Sequence, residues 1–121
     1  MEINFEWDTS PEQAFIPMTE QLIIRIKTAV YDLMQFFAIE IEQWMKLNAQ
    51  WTDRTGNLRQ SLWATAQRMG SDAVTLMFDY GLDYGFFLEY ANQGRYAIIA
   101  PALDYFLPRI WKAIRSLLGH V

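Results

Sequence analysis

The sequence predicts an α+β domain in which a small antiparallel sheet packs against a long N-terminal helix and a C-terminal amphipathic helix. Three observations predict it. Residues 19–50 carry apolar side chains at helical spacing, with no Gly or Pro between Pro17 and Gly56. Residues 2–7 and 73–80 alternate apolar and polar, the period of a half-buried strand. Residues 101–118 form a second helical stripe, with Pro101 at its start and Gly119 just past its end. The order strand, helix, two strands, loop, helix places helices against one face of an antiparallel sheet. At 121 residues and 52% hydrophobic composition, the chain is expected to be one domain, 1–121, with one core.

In the first strand, Ile3, Phe5 and Trp7 face one way and Glu2, Asn4 and Glu6 the other. Asp8-Thr9-Ser10-Pro11 ends it. Ser10 with Pro11 next and Gln13 three on resembles a capping box, so a short helix to Ile16 is expected before Pro17. Thr19 then caps the long helix. Leu22, Ile26, Ala29, Leu33, Phe36, Phe37, Trp44, Leu47 and Trp51 make its apolar stripe. Ile23, Val30, Met34, Ile41 and Met45 widen it to about half the circumference. Arg25, Thr28, Asp32, Gln35, Glu42, Gln43 and Lys46 make the opposite face. A helix of about 32 residues is about 48 Å long, whereas a compact chain of this size is near 35 Å across. The helix therefore bends, or a neighbouring subunit covers the excess; the second is favoured.

Residues 53–61 read as a polar corner. A hairpin over 62–80 follows, turning at Gly70-Ser71-Asp72. In its second strand Val74, Leu76, Phe78 and Tyr80 share a face. In its first, Trp63, Thr65 and Gln67 alternate with Leu62, Ala64, Ala66 and Arg68, and the pattern does not say which set faces the core. Residues 81–99 form a loop rich in glycine and aromatics, with a brief edge strand at Tyr96 to Ile99. In the last helix Leu103, Phe106, Leu107, Ile110, Ile114, Leu117 and Leu118 make the apolar stripe. Pro108 lies off it and is expected to kink the helix away from the core.

Composition narrows the function. With no cysteine, disulfides and thiolate metal sites are excluded. The single histidine, His120, is the penultimate residue, a poor place for a base or ligand. Ser-His-Asp, Cys-His and His-rich zinc chemistry are thus not expected, and no P-loop or dinucleotide fingerprint occurs. Glu40 and Glu42 point about 200° apart on a helix and cannot share an acid–base site. The acids of the loop, with Asp79, have no substrate-shaped context. Neither an enzyme nor any cofactor or metal is expected. No apolar run reaches the ~18 residues a membrane span needs, and the N-terminus lacks the pattern of a signal peptide. Residues 1–53 hold nine acids and three bases, and residues 54–121 five acids and seven bases. The bases at the chain end, Arg109, Lys112 and Arg115, are too few for a duplex-binding face and suit a helix C-terminus.

Three segments carry a resemblance. They are Arg54-Thr55-Gly56-Asn57-Leu58-Arg59-Gln60-Ser61-Leu62, Tyr84-Gly85-Phe86-Phe87-Leu88-Glu89-Tyr90, and Ala97-Ile98-Ile99-Ala100-Pro101-Ala102-Leu103. In order and spacing, over about residues 19 to 118, they resemble the small neck or minor tail components of long-tailed, lambda-like bacteriophages. That family has a T-G-x-L-R-x-S segment after its long helix, an aromatic segment with a glutamate before an aromatic, and an apolar-x-Pro-Ala entry to the last helix. The chain departs from it at Ala91-Asn92, where the family usually has glycine, and at Tyr96 or Ile98, where it tends to have an aromatic.

The resemblance implies a non-enzymatic structural protein of the virion. It would be made in the host cytoplasm and form a homo-oligomeric ring, sixfold preferred and twelvefold the alternative. The ring would stand in the neck or tail-completion region, between a head-side connector or stopper protein and a tail-side tube or terminator protein. DNA would pass only as channel content, which an acidic balance suits, and no membrane is involved. The alternative is a cytosolic adaptor or regulatory module that binds a host protein through the aromatic loop. Candidate interface residues are Glu40, Trp44, Trp51, Arg54, Arg59, Tyr84, Phe86, Phe87, Glu89, Tyr90 and Arg95. Glu40 is expected at the centre of the helix's apolar arc, either paired with an arginine of the neighbour or of the Arg54/Arg59 segment, or at the rim and reaching solvent; the second is favoured. Glu89 is expected to pair with Arg95, or to be solvated. Thr55, Gly56, Asn57 and Arg59 read as a structural corner or a contact loop.

Overall fold

A computed structural model describes residues 1–6, 20–49, 57–70, 73–82, 89–90 and 97–119. The elements are β1 (Glu2–Glu6), α1 (Glu20–Asn48), α2 (Asn57–Ser61), β2 (Trp63–Met69), β3 (Ala73–Asp79) and α3 (Ile99–Leu118). The strands form one antiparallel sheet of order β1-β3-β2, with both helices against it, so the α+β expectation holds. The short helix expected after Ser10 lies outside the described residues, as do Ser71 and Asp72 of the hairpin turn.

β3 is the central strand and the most apolar. Val74, Leu76 and Phe78 point into the core, where Leu76 and Phe78 are wholly buried. Ile3 opposes Leu76 and Phe5 opposes Val74 on one side; Ala66 opposes Leu76 and Ala64 opposes Phe78 on the other. The core face of β2 is therefore the alanine face, whose small side chains let α1 lie close over the sheet. Trp63 stands on the other face and its indole donates to the Tyr80 carbonyl at 3.3 Å. Also on that outer face, Thr75 is buried between its cross-strand neighbours Asn4 and Gln67 and donates to Asn4 Oδ1 at 2.7 Å.

Gly70 leaves β2 at φ +71°, a left-handed conformation that other residues adopt at a cost. Gly81 is constrained by space instead: a Cβ there would sit 2.7 Å from the Ser61 carbonyl oxygen. Because a backbone atom is in the way, Gly81→Ala is expected to lower stability by about 1–3 kcal/mol. Urea denaturation compared with wild type measures it.

α1 runs continuously for 29 residues, about 43 Å at 1.5 Å per residue. Its buried line is Ile23, Ile26, Val30, Met34, Phe37, Ala38, Ile41 and Met45. This corrects the stripe expected from sequence. Phe36 is 53% exposed and Leu47 83%, while the residues read as widening the arc are its centre. The cause is the placing of two partners, the sheet and α3, which cover one side of an arc wider than they can enclose. Glu40 is accordingly at the rim, half-buried, and not at the centre. Glu42, expected on the solvent face, is half-buried. Its Oε1 accepts from the Ala64 amide at 3.0 Å, occupying a donor on the open edge of β2. Its other oxygen faces Lys46 at 3.5 Å.

The described part of the edge strand expected at Tyr96 to Ile99 is not a strand; Tyr96 lies outside the described residues. Ala97 and Ile98 are irregular and Ile99 already opens α3. Pro101 sits in the first turn, where a missing N–H costs nothing, and Ala102 is the next amide on, donating to Ile98 O at 3.0 Å. Ile99, Ala102, Phe106, Ile110 and Ile114 are the buried line of α3. Gly119 ends the helix as expected, although in right-handed conformation.

Candidate functional site

Of the residues nominated from sequence, Glu40, Trp44, Arg59, Glu89 and Tyr90 are described. Trp51, Arg54, Tyr84, Phe86, Phe87 and Arg95 lie outside the described residues. The described five divide into two internal clasps and two surface features.

Arg59 is the first clasp. Leu58 on α2 and Leu62 just after it are buried in the core, while the guanidinium reaches the end of α1. There it donates through Nη1 to the Lys46 carbonyl and through Nη2 to the Ala49 carbonyl at 3.1 Å. Carbonyls in the last turn of a helix have no intrahelical partner and carry the negative end of the dipole, so a cation fits them.

Glu89 is the second. Its Oε1 accepts from the amides of Ile98 and Ile99 at 3.0 Å each, and its Oε2 from Ala100 at 2.9 Å. The Tyr80 hydroxyl donates to Oε1 at 2.8 Å. α3 has no cap of its own, since Ile98 stands at the capping position. A carboxylate nine residues earlier in the chain supplies it. Burial alone would raise the pKa of Glu89. The bonds from Ala100, Ile99, Ile98 and Tyr80 outweigh burial and hold the carboxyl below its ordinary value. The phenol of Tyr80 is pushed up, first by burial and then by its bond to Glu89.

Because the folded pKa of Glu89 lies below the unfolded one, about 4.3, the clasp contributes fully above that pH. Its contribution is lost as pH falls through the folded value. Acid titration of the unfolding free energy is expected to show this loss below about pH 4.3, and Glu89→Gln to flatten it.

The surface features lie apart from these clasps. Between α1 and α3 an open groove is lined by Phe36, Glu40, Trp44, Leu47, Tyr105 and Arg109. Its floor is an aromatic stack. Trp44 lies against Tyr105 at 5.1 Å between ring centroids and 23° between planes. Phe106 meets Trp44 and Phe37 edge-on at 5.9 and 6.4 Å. Arg109 lies 3.6 Å from the Tyr105 ring centroid and donates to the Tyr105 carbonyl at 2.6 Å, which fixes its guanidinium. Glu40 has no hydrogen-bond or ion-pair partner among the described residues. The second feature is Tyr90, 69% exposed beside the fixed Glu89.

Sequence reasoning missed Tyr105 and Arg109. The available signal was their spacing: they stand four apart on the last helix, just outside its apolar stripe. Among the described residues no group of three His, Cys, Asp or Glu side chains is placed to hold a metal ion. No described helix is long and apolar enough to cross a membrane. No protein-family model, curated protein or solved structure matches the chain.

Proposed function

We propose that the chain is a non-enzymatic ring subunit of the neck or tail-completion region of a long-tailed bacteriophage, joining the head connector to the tail. The observation that supports this best is the uncovered flank of α1. Phe36 and Leu47 are exposed beside a groove already floored by Trp44, Tyr105 and Phe106. A helix that leaves large apolar side chains at a pre-packed aromatic groove has the composition of an assembly surface. A ring uses such a surface in a head-to-tail contact closed by rotation.

The described parts of the three segments that resemble the neck family fit this reading as scaffold. Leu58, Leu62, Ile98, Ile99 and Ala102 from the first and third are core residues. Arg59 and Glu89, from the first and second, close the end of α1 and the start of α3. On this reading those described residues set the fold, and the ring contact lies on the helix flanks.

Quantitative mass spectrometry of purified virions, from a phage whose genome encodes the chain, tests the role. A few copies per particle, in a fixed ratio to the portal subunit, is the expected result. Absence from particles that package and infect normally would remove it.

A further inference from the structure

We infer that the groove between α1 and α3 receives the Trp111–Arg115 face of α3 from a second copy of this chain, with Arg115 meeting Glu40. This rests on the ring reading and names its two mating patches. A head-to-tail contact needs two different patches on one subunit, and α3 separates them. Tyr105 faces α1, where it stacks on Trp44. Trp111 lies about 120° round the helix from it and faces the opposite side, its ring 6.5 Å from that of Phe5 on β1. Trp111 is 46% exposed, the largest side chain left open on that side.

The charges match as well. Glu40 stands half-buried in the groove without a partner among the described residues, and an unpaired carboxylate attracts a cation. The groove's own cation, Arg109, is fixed on Tyr105. Arg59 is held at the end of α1. Arg115 is exposed one turn after Trp111 on the same side of α3, with no side-chain partner among the described residues. An aromatic knob with a cation one turn away thus complements an aromatic groove with an anion at its rim.

Two measurements on the purified full chain test the pairing. In sedimentation velocity across concentration, Glu40→Arg and Arg115→Glu are each expected to raise the apparent dissociation constant about thirtyfold. The double variant should recover most of the loss. Circular dichroism melts check that each variant folds. Independently, a photo-crosslinking residue at position 111 should couple to residues 36–47 or 105–109 of another copy.

Crosslinks elsewhere, single variants that assemble like wild type, or a chain monomeric at its solubility limit would each overturn the pairing. Assembly that survives both single variants leaves the ring reading standing. A wild-type complex that stops at two copies sinks the ring, while the crosslinks still judge the pairing.

Discussion

Glu89→Ala is expected to be the most destabilising substitution at any nominated position, by about 3 kcal/mol. The carboxylate satisfies three amides at the start of α3 and receives the Tyr80 hydroxyl. A single neutral cap contributes about 1 kcal/mol. Charge-assisted bonds are about twice as strong, and the Tyr80 hydroxyl would lose its bond to Glu89. Glu89→Gln keeps the shape and one acceptor, so it should cost roughly half as much. Chemical denaturation at pH 7 measures both. A loss under about 0.5 kcal/mol for the alanine variant, the range of ordinary surface changes, would show that water replaces the clasp.

The second large effect is on assembly. Leu47→Lys is expected to abolish head–tail joining, with full heads and free tails accumulating, while leaving the folded chain as stable as wild type. Leu47 is 83% exposed, so the isolated chain buries little of it. A lysine in the last turn of α1 also complements the helix dipole. The cost falls only on a contact that covers this position, where a buried unpaired ammonium is expected to weaken binding by several kcal/mol. Electron microscopy of lysates, beside a thermal melt of the purified variant, reads the two halves of the prediction. Normal particle yield would show that nothing covers Leu47.

Much of the fold was legible because period and punctuation agreed. α1 and α3 emerged from apolar spacing bounded by Pro, Thr and Gly. β1 and β3 emerged from strict alternation, and the turn from Gly70. What stayed hidden was orientation. Helical period shows that an apolar arc exists, but α1's arc is wider than its contacts, and nothing local says which half the sheet takes. Leu47 and Met45 look alike in sequence, yet one is 83% exposed and the other wholly buried. In β2 the alternation of Thr and Ala has too little contrast to mark a face.

The candidate site was legible in part. Glu40 and Trp44 were found because they interrupt or enrich the α1 stripe. Glu89 was singled out as a charge among aromatics, but as an interface residue, and its partners were not foreseeable. Capping is read from the residue just before a helix, and this cap arrives from nine positions away. Arg59 reaches back across the corner to α1 in the same manner, a contact that exists only once the chain has turned.

The central claim is that another copy covers the outer flank of α1. A reconstruction of the virion neck, resolved well enough to trace side chains, tests it most directly. The account predicts a ring in which Phe36 and Leu47 of every subunit lie under the neighbouring copy. A subunit standing alone, its 20–48 helix facing solvent or enclosed entirely by its own chain, would contradict it.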